Sequence, residues 1–188
     1  SAEIEFTSLL NDPEFAERAL LQRGLVRVLR GALEAAENDL RGVAQARLLT
    51  HRHHALVLAA LYLQRGDLSE AATRLAQLPR DPTTVDIRQY LQGRLLEGQQ
   101  DPIAALRHYK WVTDTASPLS FDALVRMALI LGSQNRPEEA LACLAQASVH
   151  GATGREILSL EAWLADRLGA YPRAIAALQT LGRRHRDE

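Results

Sequence analysis

The chain has 188 residues, 47% of them apolar and 24% charged, with 22 basic residues against 23 acidic and a formal net charge of −1 at pH 7. That length suffices to bury roughly 70% of the unfolded surface in one domain or one continuous array. The apolar share excludes a disordered chain, and the balanced charge excludes a general electrostatic attraction to nucleic acid or anionic membrane.

Aromatic residues make up only 5%, so alanine and leucine must build the core, a bias toward strong helix formers that predicts an all-α fold. Cys143 is the sole cysteine, which excludes an intramolecular disulfide and a cysteine-based zinc site. The longest apolar run, Ala55 to Leu63, falls well short of the roughly 20 residues a helix needs to cross a bilayer, so no direct membrane insertion is expected. Ser1 opens no basic-then-apolar leader. Composition assigns no compartment beyond a soluble one, the bacterial cytoplasm or periplasm.

In chain order the predicted elements are an N-terminal segment, 1–16, and five units at about 17–51, 52–85, 86–120, 121–154 and 155–188. Ser1 to Asp12 carries Leu9 and Leu10 and reads as the remnant or cap of a preceding helix. The first unit holds Gly24 and Val26 on its first helix, Gly31 at the turn, and Ala36, Leu40 and Val43 on its second. The second unit repeats that order with Ala59, Leu61, Gly66, Ala71, Leu75 and Leu78, and the stop Leu78-Pro79-Arg80-Asp81-Pro82 follows. The third gives Gly93, Leu95, Gln100, Ala105, Tyr109 and Val112, then Ala116-Ser117-Pro118. The fourth gives Ala128, Ile130, Asn135, Ala140, Leu144 and Ala147, and the fifth Ala162, Leu164, Gly169, Ala174, Leu178 and Leu181.

The alanines from Ala36 to Ala174 stand 35, 34, 35 and 34 residues apart, with a second small residue twelve before each. Such a period marks a helical-repeat array. Spacings of four and then three from each alanine place the following large residues on one helical face, so each unit is a pair of amphipathic helices. The turn column, Gly31 to Gly169, sits where a helix ends in the left-handed conformation. Pro102, Pro137 and Pro172 fall at the start of the next helix, where a missing N–H costs nothing. A glycine or alanine at the helix crossing lets the two backbones approach, and a larger residue there would overpack.

These columns resemble the tetratricopeptide repeat, whose pattern runs W-x2-L-G-x2-Y, then A-x3-F, A and P over 34 residues. The second unit matches best, with Ala55, Leu58-Ala59, Tyr62, Gly66-Asp67, Glu70-Ala71, Leu75, Leu78 and, one place early, Pro82. The resemblance covers about residues 17 to 188 in five degenerate repeats. No tryptophan holds the first signature position, and Arg23, Gln92 and Glu161 replace the leucine in three units. It implies a right-handed α-solenoid, a superhelix of stacked antiparallel helix hairpins; armadillo and HEAT repeats run longer.

The resemblance also implies a binding face, because first helices of this repeat line a concave groove through their second, fifth, ninth and twelfth to thirteenth positions. In this chain those positions are Arg18, Leu21 and Leu25, then His53, Leu56, Ala60 and Gln64, then Tyr90, Arg94 and Glu97. They continue with Asp122, Val125, Leu129 and Ser133, then Glu156, Ser159, Trp163, Asp166 and Arg167. Leu21, Leu25 and Leu56 suit packing between repeats equally well, whereas Tyr90, Arg94 and Trp163 are the residue types that dominate interface hot spots. Lys110, the only lysine, falls on an outer helix and the groove has no asparagine, so the carboxylate clamp of one family subtype is not expected.

No Gly-rich phosphate loop, H-E-x-x-H or G-x-S-x-G string occurs, so neither a catalytic residue nor a cofactor is expected. His51 and His54 are spaced to share one helical face and a zinc or nickel ion. No nearby carboxylate completes such a site, and His51-Arg52-His53-His54, where a first helix begins, reads as a solvated turn. Cys143 reads as a small hydrophobe, Trp111 lies with Lys110 on an outer helix, and Arg183-Arg184-His185-Arg186 reads as a solvated tail.

The functional expectation is a non-catalytic protein-protein interaction scaffold that takes a helix or extended peptide of a partner in an apolar groove with flanking charges. It would belong to a larger bacterial protein or a multiprotein assembly of the secretion or envelope type. The alternative is a regulatory sensor module of a signalling or transcription protein that binds a small molecule or peptide. Because solenoid ends need polar caps and these ends look apolar, either a longer array or end-to-end self-association is expected.

Overall fold

A computed structural model of the chain describes residues 2–12, 15–43, 48–78, 81–115, 117–149 and 155–187. Every regular element among them is helical: α1 (Ala2–Ser8), α2 (Ala16–Leu29), α3 (Leu33–Gly42), α4 (Leu48–Arg65), α5 (Leu68–Ala76), α6 (Val85–Gly98), α7 (Pro102–Asp114), α8 (Ser120–Ser133), α9 (Pro137–Val149), α10 (Arg155–Arg167) and α11 (Tyr171–Asp187). Single 3-10 turns stand at Leu9–Asn11 and Pro82–Thr84. The chain divides into two compact units, Ser1–Asp101 and Pro102–Glu188, the first holding α1 to α6 and the second α7 to α11.

The helices end where the turn column stands, and they end in one way. Gly31, Gly66, Gln100, Asn135 and Gly169 have φ of 76°, 82°, 62°, 60° and 69°. After α2, Gly31 N–H donates to the Val28 carbonyl at 3.0 Å and Ala32 N–H to the Arg27 carbonyl at 2.9 Å, the paired bonds that satisfy the last carbonyls of a helix. The same pair recurs after α8, where Asn135 N–H reaches the Gly132 carbonyl and Arg136 N–H the Leu131 carbonyl. Pro102 and Pro137 are the first residues of α7 and α9. Asp67 caps α5, its side chain accepting from Glu70 N–H at 3.2 Å.

In the first unit, α2 and α3 form a hairpin on which the α4/α5 hairpin packs, and α6 packs on α4 and α5. The small column explains how closely the helices cross: a Cβ on Gly24 would stand 3.1 Å from Cδ2 of Leu40. Ala36, Leu40 and Val43 share one core with Val57 and Leu61 of α4, and Ala59, Ala71, Leu75 and Leu78 share the next with Leu91 of α6. In the second unit the α8/α9 hairpin packs against α7 and α10, and α10 pairs with α11. Its core joins Ala128, Ala140, Leu144 and Ala147 to Ile157 and Leu164.

The histidine cluster departs from the sequence reading. No solvated turn stands there, because α4 begins at Leu48 and runs through it; the segment holds no glycine or proline to break a helix. His54 lies on the same face as Leu58 and Leu61, and its Nε2 stands 2.8 Å from the Leu40 carbonyl oxygen, so the ring meets a carbonyl near the end of α3. The His51 side chain lies outside the described residues.

Candidate functional site

A network of polar side chains joins α1, α2 and α3. Asp39, buried on α3, accepts from Arg23 Nε at 2.9 Å and Nη2 at 2.7 Å, and from Arg27 Nη1 at 2.9 Å. Arg27 Nε and Arg30 Nη1 also donate to the Glu3 carboxylate at 2.8 and 2.9 Å, and Arg23 Nη1 to Thr7 Oγ1 at 3.1 Å. The hydrogen bond from Arg27, helped by the neighbouring guanidiniums, holds the Glu3 carboxyl below the ordinary glutamate value. This ladder fastens α1 along α2. It also explains Arg23 in place of the repeat's leucine, since its partner stands across the hairpin. The replacement at Glu161 is matched likewise, by Arg173 Nε of α11 at 2.9 Å.

The residues read as groove positions all fall on first helices. On α2, Arg18 is exposed, Leu21 buried and Leu25 half-buried. On α4, His53 and Gln64 are exposed, but Leu56 is buried in the core with Leu75 and Leu91, so this side chain packs between helices and offers a partner no surface. Tyr90, Arg94 and Glu97 of α6 are half-buried, Tyr90 lying against that same core. On α8, Asp122 and Ser133 are exposed and Val125 leans on the core. On α10, Ser159, Asp166 and Arg167 are exposed, and the Glu156 side chain lies outside the described residues.

The second unit gathers the most exposed apolar area of this set. Leu129 of α8 is 43% exposed and Trp163 of α10 is 44% exposed. The Trp163 ring crosses close over Gly132, where a Cβ would stand 3.0 Å from Cζ3 of the indole, so a side chain there would press the ring outward. The Arg167 guanidinium sits 5.1 Å from the centre of the ring, within cation–π range, and its Nη2 donates to Asn135 Oδ1 at 3.1 Å. Asn135 thus does two things, turning the chain and orienting the arginine. Spacings of three to four residues put Asp122, Val125, Leu129 and Ser133 on one side of α8 and Ser159, Trp163 and Asp166 on one side of α10.

Cys143 is buried in the second unit's core, and burial, with the Glu139 charge behind it, pushes its thiol above the ordinary value, away from a reactive thiolate. Lys110 pairs with Asp114 at 3.0 Å on the exposed side of α7. Among the described residues no three His, Cys, Asp or Glu side chains are grouped to hold a metal. No helix among them is long and apolar enough to cross a membrane.

Antiparallel helix hairpins with small residues at their crossings and left-handed caps at their turns define an all-α, tetratricopeptide-like helical repeat. Solved structures of MamA, a protein with a TPR-like fold, share it. The chain superposes on MamA of AMB-1 with a TM-score of 0.59 at 17% identity, over 90% of this chain and 92% of that one. A mutant MamA gives 0.59 at 17% identity over 92% and 99%, and MamA of MSR-1 gives 0.61 at 16% identity over 93% and 99%. At these identities the likeness is one of fold. No family model and no curated protein matches the sequence.

Proposed function

We propose that the chain is a non-catalytic interaction scaffold whose first-helix face binds a helical or extended segment of a partner protein. The observation that carries this reading is the exposed pair Leu129 and Trp163 on α8 and α10, with Arg167 stacked on the indole. An exposed aromatic ring that lies close over a glycine and carries a stacked guanidinium is the kind of residue that concentrates binding energy. Exposed Ser159 and Asp166 stand on the Trp163 side of α10, and exposed Asp122 lies near the start of α8. In the first unit Arg18, His53, Gln64, Tyr90, Arg94 and Glu97 offer the corresponding positions.

A scaffold of this kind works inside a larger protein or assembly, and it fits a secretion or envelope machine of a bacterium. Affinity capture from the native lysate with the full chain, set beside capture with Trp163→Ala, tests the reading. A retained protein that the variant no longer holds supports it; retention by both to the same extent refutes it.

A further inference from the structure

Arg167, near the end of α10, departs from its column, whose earlier members Leu29, Gln64, Gly98 and Ser133 carry no charge. Its guanidinium lies 5.1 Å from the centre of the Trp163 ring and donates from Nη2 to Asn135 Oδ1 at 3.1 Å. Both contacts are with neutral groups. Among the described residues no carboxylate pairs with Arg167, although Arg136 and Arg173 of the same unit are each engaged by one, Glu139 and Glu161. Asn135 reaches the guanidinium from a left-handed turn, φ 60°, where Gly31, Gly66 and Gly169 stand in other units. Glycine there would keep the turn and lose the hydrogen bond.

The ring and the amide thus hold a cation in place without neutralising it. A guanidinium stacked on an aromatic face keeps the N–H groups along its edge for other acceptors, and a carboxylate is the group that meets that edge with paired hydrogen bonds. Asp166, exposed one residue earlier on the Trp163 side of α10, lowers the local positive charge. A doubly charged phosphate, which draws clusters of arginine, therefore fits less well than a singly charged carboxylate. Because the ring itself is 44% exposed, an apolar contact is on offer beside the charge.

We propose that Arg167 sets the specificity of the first-helix face, selecting a partner segment in which an Asp or Glu side chain stands beside a large apolar one, and that Asn135 is its positioning residue. The apolar side chain lies on Trp163 and the carboxylate on the guanidinium; the inference rests on Trp163 being a binding anchor. The probe is a library of short random peptides displayed on phage through their C-termini, so that every carboxylate they offer is a side chain, selected on the full chain. Clones that fail to bind Trp163→Ala are sequenced. An excess of Asp and Glu beside large apolar residues is expected, giving way to Lys and Arg when selection is repeated on Arg167→Glu. The most enriched peptide, synthesised with a fluorescent label, should lose about tenfold in affinity with Arg167→Ala and several-fold with Asn135→Gly, neither variant lowering the melting temperature. Trp163-dependent clones without the acidic excess, or with the same excess on Arg167→Glu, would overturn this inference and leave the first-helix face standing. Affinity unmoved by Asn135→Gly would overturn the positioning role, and the absence of any Trp163-dependent clone would overturn the binding face as well.

Discussion

Asp39 accepts two hydrogen bonds from the Arg23 guanidinium across the first hairpin, at 2.9 and 2.7 Å, at the position where the repeat ordinarily carries leucine. Both side chains are largely withdrawn from solvent, so removing one partner strands the other. Asp39→Ala leaves Arg23 and Arg27 facing a buried gap and destabilises the chain by about 3 kcal/mol. The double substitution Arg23→Leu with Asp39→Leu recovers most of that loss, since an apolar pair can replace a buried ion pair. Urea unfolding of the two variants checks both statements.

The attachment of α1 depends on pH through Glu3. Its folded carboxyl titrates below the ordinary glutamate value, because of the Arg27 hydrogen bond before any other favourable cause. Its contribution is therefore complete above about pH 4.3 and is lost as pH falls through the lower folded value. Hydrogen exchange of the α1 amides should accelerate as pH falls through that window, beyond the intrinsic change in rate. Glu3→Gln removes the dependence and leaves α1 faster at neutral pH.

Ala105 tests the small column. It is fully buried, and Ala105→Leu forces three extra carbons into packed space, so a loss of about 1 to 3 kcal/mol is expected. A melting curve that does not move would mean that the column is not a packing constraint.

Gln100 holds a left-handed conformation, φ 62°, in an exposed turn. Such a conformation costs a side-chain-bearing residue roughly 1 kcal/mol or more, partly offset in glycine by its freer unfolded chain. Gln100→Gly should stabilise by about 0.5 kcal/mol, a rise of roughly 1 to 2 °C in melting temperature.

The period, the crossings and the turns are legible because each repeat solves the same packing problem with the same residue size. The turn column predicts left-handed backbone even at Gln100 and Asn135, where residue type alone is a weak guide. Polar pairing is harder to read. Arg23 looks like decay of the pattern until Asp39 is compared with its column mates Arg74, His108, Cys143 and Ala177, a signal present in the sequence. The Arg167 to Asn135 bond has no such signal, because the turn places Asn135 beside the next hairpin. Residues 51–54 look like a turn by polarity, but without a breaker the helix from Leu48 continues through them. Leu56 shares a helix with His53 and Gln64, and periodicity cannot tell which side of a first helix its neighbour covers.

The proposed function anchors partner binding on the first helices. Once capture has identified the partner, its dissociation constant is measured for the intact chain, for Trp163→Ala, for Tyr90→Ala with Arg94→Ala, and for Trp111→Ala, half-exposed on the second helix α7. At least a tenfold loss for Trp163→Ala, a loss for the α6 pair and none for Trp111→Ala is the expected result. Affinity unchanged by Trp163→Ala and lost with Trp111→Ala would contradict it.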